Sequence, residues 1–198
     1  MSLYQFLIFI HVLGAVGLFA AIGIEAVSLG RLRRAETPAD ARVWLGQLRL
    51  PGRLGPIGML TALASGAWMM KVSWGYQAWI AGAIVALVGM IVVGLVVTMP
   101  RLRRLRVALR AETGPVLSDG IRAVTSSTAL VMSVQLRIAL GVGILGLMTM
   151  KPSDNPSAIL VLATVVLVSL AASILPARRP LNTGHIRHAR PIEAPERI

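Results

Sequence analysis

The stretch LYQFLIFIHVLGAVGLFAAIGIEAVS, residues 3–28, decides the fold: below Tyr4 it carries only His11 and Glu25 as ionisable groups in an otherwise apolar run. About 20 such residues cross ~30 Å of hydrocarbon as a helix. Four more apolar runs, about residues 54–70, 78–99, 129–150 and 158–176, approach or exceed that length. Hydrocarbon offers backbone amides no water to bond, so each run is helical and the breaks lie at the interfaces. The sequence therefore predicts an all-α polytopic transmembrane bundle of five membrane-spanning helices over residues 1–176. A disordered, basic cytoplasmic tail follows over residues 177–198. A chain of 198 residues, 56% hydrophobic and 14% charged, reads as one domain. The first run is too long, and too poor in preceding cations, for a cleavable signal.

Cations set the orientation. The 20 basic residues are 18 Arg and two Lys, Lys71 and Lys151. Arg31, Arg33, Arg34, Arg42, Arg49 and Arg53 follow the first run. Arg101, Arg103, Arg104, Arg106, Arg110 and Arg122 follow the third, and five more Arg lie in the tail. The other two connections hold one Lys each, so the positive-inside rule predicts the amino terminus outside and the carboxyl terminus in the cytoplasm. The formal charge of +12 does not point to nucleic acid, because the clusters abut span ends, where they attract anionic lipids of the cytoplasmic face. Without cysteine there is neither a disulfide framework nor a thiolate site.

Between the runs, TPADARVWLGQLRL (residues 37–50) starts as a Thr-Pro helix and reads as an amphipathic helix lying on the inner leaflet. RLRRLRVALR extends the third span until Gly114-Pro115, and Ser118 offers the capped start of a long fourth helix. His185 and His188 in the tail lack a nearby third ligand for a metal. GAWMMKVS (66–73) and GLMTMKPS (146–153) share Gly, Met, Lys and Ser, which suggests duplicated hairpins in parallel orientation. A shared interfacial demand for a snorkelling Lys is the alternative.

Polar groups at membrane depth are costly and so are candidates for function. His11 and Glu25 fall within ~40° of one helix face, with Leu18, Ile22 and the small residues Gly14 and Ala15 around it. Gln135 and Arg137 lie in the fourth span, Arg137 near its middle. Ser133, Gly141, Met148 and Lys151 share the Arg137 face, which is predicted to meet the His11 face. Glu25 is the one acidic residue in any span, so Glu25 and Arg137 are a candidate ion pair.

Three readings apply to His11: a neutral imidazole bonded to a neighbouring helix, an axial ligand to haem, or a soft-metal ligand. With haem, the second ligand is a Met or His11 of a second subunit. With Cu(I), Met69, Met70, Met148 and Met150, all at the outer span ends, supply thioethers.

Gly66, Trp68, Lys71, Trp74 and Gly75, with PRLRRL (100–105) and LMTMKP (147–152), resemble a bacterial family of predicted integral membrane proteins of unknown function. The likeness covers about residues 3–152, and its distant relatives are the HemJ-type protoporphyrinogen oxidases and the copper-resistance D type of inner-membrane proteins. It implies a bacterial inner-membrane location, haem b or copper as ligand class, and His11 and Lys151-Pro152 as the matching positions, with Arg137 beside His11 as the candidate cofactor-binding residues. Ile138-Ala139 stand where the HemJ type has Asn-Glu after its arginine, so the likeness implies ligand binding rather than porphyrinogen oxidation.

Three functional readings follow: a haem- or copper-binding accessory module using His11, a transport-accessory or permease-like protein organised around Glu25 and Arg137, and a membrane scaffold without ligand. A homo-oligomer or a membrane-protein partner is compatible with each.

Overall fold

The structure, a computed structural model, describes residues 2–174, and every regular element among them is helical. The predicted tail, with His185 and His188, lies outside the described residues. Helix α1 (Leu3–Leu32) opens on a capping box in which the Ser2 hydroxyl accepts from the Gln5 amide and the Gln5 side chain accepts from the Ser2 amide. Thr37 caps α2 (Pro38–Gln47), and α3 (Pro51–Met69) ends in a π-helical turn, Met70–Trp74, before Gly75 reverses the chain at φ 63°.

Helix α4 (Ala78–Val93) continues through a second π-helical turn, Gly94–Thr98, into α5 (Met99–Ala111). Pro100 has no amide to return to the carbonyl four residues back, and the π turn is the slip in register just ahead of it. The rod Ala78–Ala111 is therefore ~50 Å long, well beyond a hydrocarbon core.

Helix α6 (Asp119–Thr125) is separated from α7 (Thr128–Met150), whereas the sequence predicts one long helix from Ser118. The Thr125 and Ser126 hydroxyls both donate to the Arg122 carbonyl, at 3.0 and 2.7 Å, and this local bonding competes with the helical ladder. Lys151 ends α7 in the left-handed conformation, and α8 (Asn155–Ile174) begins where Asp154 accepts from the Ser157 amide at 2.8 Å.

Leu3–Leu32, Ala78–Ala111 and Asp119–Met150 are long and apolar enough to cross a membrane. Asn155–Ala171 is shorter, and α3 is diluted by Pro51, Gly52, Arg53, Gly55 and Pro56.

Helices α1 and α3 form an antiparallel seam in which backbones touch. A β-carbon at Gly58 would sit 2.6 Å from the Gly14 carbonyl oxygen and 2.7 Å from the Leu18 nitrogen. Helix α7 packs antiparallel to α4, through Gly82 on Leu147 and Gly89 on Leu140, and antiparallel to α8, through Gly143 on Leu162. Because α3 packs on α1 whereas α8 packs on α7, the two proposed hairpin repeats are not packed alike.

The largest buried cluster lies at the arginine-rich end. Leu29 and Leu32 of α1, Ala41 and Leu45 of α2, Leu105 and Leu109 of α5, Ile121 of α6 and Leu130 of α7 form one core. Ala41 and Leu45 of α2 thus face protein, while Val43 stays exposed. Arg42 fixes that cap: its Nε and Nη2 donate to the Leu109 carbonyl at 3.1 and 2.9 Å, and Nη2 also donates to the Glu112 carbonyl. The guanidinium thus satisfies orphan carbonyls at the end of α5.

Candidate functional site

Glu25 of α1 and Arg137 of α7 meet between the two helices. Both terminal nitrogens of Arg137 donate to the carboxylate, Nη1 to Oε2 at 2.8 Å and Nη2 to Oε1, and the side chains are only 13% and 14% exposed. A planar guanidinium matches a carboxylate in this forked arrangement, so both long side chains are held in one geometry.

The pair is placed by its helices. Gly141, one turn beyond Arg137, lets Phe19 and Ile22 of α1 approach α7. On the opposite flank, Gly94 in the π turn lies 4.0 Å from Arg137 Nη1, measured from the position of its absent β-carbon. Next to it the buried Thr98 hydroxyl bonds the Ser133 hydroxyl at 3.1 Å, and Ser133 donates onward to the Leu130 carbonyl at 2.7 Å. Thr98, Ser133 and Gly94 were not singled out together by the sequence, because helical spacing within one span carries no register between spans.

His11 does not face the Arg137 stripe, which corrects that expectation. Its Nδ1 donates to the Ala62 carbonyl of α3 at 2.8 Å and lies 3.3 Å from the Ser65 hydroxyl. Because Ser65 donates to the Thr61 carbonyl at 2.6 Å, its oxygen is free to accept from the imidazole. The ring lies over Gly66, whose absent β-carbon would be 3.1 Å from Cε1. The Gly14–Gly58 contact turns this part of α1 toward α3 instead of α7.

Two of the four methionines, Met148 and Met150, belong to α7 and not to the α1–α3 seam that holds His11. Met148 packs with Ala78, Trp79, Leu147 and Ala158 on the α4–α8 side of α7, and Met150 is 72% exposed. Met69 and Met70 straddle the start of the π turn after α3. With Nδ1 donating to the Ala62 carbonyl, Nε2 is the ring atom that would hold haem b. Among the described residues no group of three or more His, Cys, Asp or Glu is placed to hold a metal.

At the lysine-bearing end, Trp74 Nε1 donates to the Tyr4 hydroxyl at 3.1 Å, Trp74 and Trp79 meet edge to face at 5.7 Å, and Lys151 Nζ lies 4.4 Å above Trp74. This cluster joins the ends of α1, α4 and α7. Lys151, exposed at the end of α7, lays its ammonium over the Trp74 ring.

Compared with protein-family models, curated proteins and solved structures, the chain matches none.

Proposed function

We propose that the chain is a multi-pass bacterial inner-membrane protein of five spans, α1, α3, α4, α7 and α8, with its arginine-rich end in the cytoplasm, and that it works as an accessory or assembly subunit. The Glu25–Arg137 fork carries this reading. The two largely buried side chains are taken up by each other and tie the α1–α3 pair to the α4–α7–α8 group. The distribution of 18 Arg and two Lys supports the orientation, as does the Tyr4–Trp74–Trp79 cluster, an aromatic belt at the opposite end. Exposed Phe9, Leu13 and Val16 on α1, Val85, Val88 and Val92 on α4, and Leu160 and Leu167 on α8 suit a lipid surrounding.

The test is chemical cross-linking in native membranes of the wild type and of Glu25→Leu/Arg137→Met. A subunit whose pair is a packing device keeps the same partner at the same stoichiometry in both. Solute flux into vesicles that the double substitution abolishes, with helix content intact, overturns that role in favour of a permease-like protein organised around Glu25 and Arg137.

A second reading, haem b ligated by His11, is favoured by the Nδ1 bond to the Ala62 carbonyl, the arrangement that orients metal-ligating histidines. Protein extracted from haem-replete membranes then shows a Soret band that His11→Ala removes; a wild-type spectrum without that band eliminates it.

A further inference from the structure

We propose that the groove between the arginine-rich halves of α1 and α7 binds one anionic glycerophospholipid, its phosphate on Arg33 and a glycerol ester carbonyl on Gln135. The groove has a volume of about 150 Å³ and walls of Ala26 and Leu29 on one side and Val131 and Val134 on the other. Its polar lining comes from Arg33 at the end of α1 and Gln135 within α7. The proposal rests on the membrane residence and orientation proposed above.

Two features select the occupant. Among the described residues the Gln135 amide makes no hydrogen bond, although it lies only two positions from Arg137 on a span. An amide at that depth needs an acceptor, and water is scarce there. The Arg33 guanidinium likewise makes no hydrogen bond among the described residues, in contrast to Arg31, which lies over the Trp44 ring, and Arg42, which caps α5.

The order of groups along the groove completes the match. Glu25 pairs with Arg137 in antiparallel helices, so Gln135 stands near the level of Ala26, and Arg33 lies ~10 Å farther toward the head groups. A glycerophospholipid presents its charged phosphate outermost, ester carbonyls one step deeper and acyl chain beyond. The groove presents a cation outermost, an amide donor deeper and Ile138 beyond the amide, with apolar walls along its length. A groove of this size takes the glycerol region and the start of one chain, and the rest stays in the bilayer.

The experiment uses the full chain in mixed detergent micelles titrated with phosphatidylglycerol or phosphatidylcholine, following retained lipid by mass spectrometry and helix content by circular dichroism. Phosphatidylglycerol is expected to be retained in preference to phosphatidylcholine. Arg33→Gln should weaken that binding about fivefold, as loss of one basic contact does, and Gln135→Leu should weaken it several-fold. Arg103→Gln, which removes an exposed charge from α5, should leave it unchanged. Equal weakening by Arg33→Gln and Arg103→Gln, or no preference between the lipids, overturns the site and assigns the attraction to diffuse surface charge. Flotation of the same proteins with neutral vesicles separates the two readings. Failure to float removes membrane residence, whereas flotation without lipid preference removes only the groove.

Discussion

Glu25 and Arg137 stand 112 residues apart in the chain, yet their side chains meet fork to fork across α1 and α7. The two partners differ in what each can do alone. An isolated Glu escapes by taking a proton, whereas an isolated Arg keeps its charge at any accessible pH. Glu25→Leu is therefore expected to destabilise the bundle by about 3–5 kcal/mol, Arg137→Met by less, and the double substitution to be near neutral or stabilising. Thermal unfolding of the three variants in detergent checks the ranking. A larger loss for Arg137→Met than for Glu25→Leu would contradict it.

The α1–α3 seam sets a second expectation. At Gly14 an added β-carbon would lie 2.7 Å from the Ala62 nitrogen and 2.8 Å from the Gly58 oxygen, both backbone atoms that cannot step aside. Gly14→Ala should cost about 1–3 kcal/mol. Gly23 on the same helix has nothing within 4 Å, so Gly23→Ala should gain up to about 1 kcal/mol from helix propensity. Unfolding midpoints of opposite sign for the two variants are the expected result.

Arg42 makes a local prediction. With its fork removed in Arg42→Ala, the last turn of α5 loses three charge-assisted bonds to the Leu109 and Glu112 carbonyls. Faster hydrogen exchange over residues 106–111 should follow, with a global loss of about 1 kcal/mol after allowance for solvent. Arg42→Lys should restore protection only in part, because an ammonium supplies no counterpart of the Nε bond to the Leu109 carbonyl and sits one atom short of Nη2.

Asp154 gives the pH dependence. The Ser157 amide and hydroxyl bond its carboxylate and hold its pKa below the ordinary 3.8. The pKa is depressed on folding, so the contribution of this cap is complete above the ordinary value and fades as pH falls through the lowered one. The start of α8 should fray only in strong acid, and Asp154→Ala should remove that acid transition. Amide exchange at Ser157 and Ala158 against pH measures it; a transition near neutral pH would contradict the assignment.

Helix positions were legible from the apolar runs and from local signals such as Thr37-Pro38. Extension of the third run past Met99 followed from the helical spacing of Leu102, Leu105 and Leu109. Charge scarcity made Glu25 and Arg137 natural partners, since no other acid lies in any run. What the sequence could not carry was register between helices. His11 turned to Ala62 instead of α7 because two glycines 44 positions apart, Gly14 and Gly58, let backbones touch. Likewise Arg42, one of many basic residues by composition, is set apart only by where α5 ends. The break at Ser126 reflects hydroxyl competition that a hydrophobic pattern does not register.

The most direct test is of the five-span topology, and the absence of cysteine from the sequence makes single reporters clean. Ser73→Cys, Ser153→Cys and Thr113→Cys would each be exposed in spheroplasts to a membrane-impermeant maleimide. Ser73→Cys and Ser153→Cys should react before lysis and Thr113→Cys only after it. Labelling of Thr113→Cys in sealed spheroplasts, or protection of Ser73→Cys or Ser153→Cys, would contradict the topology.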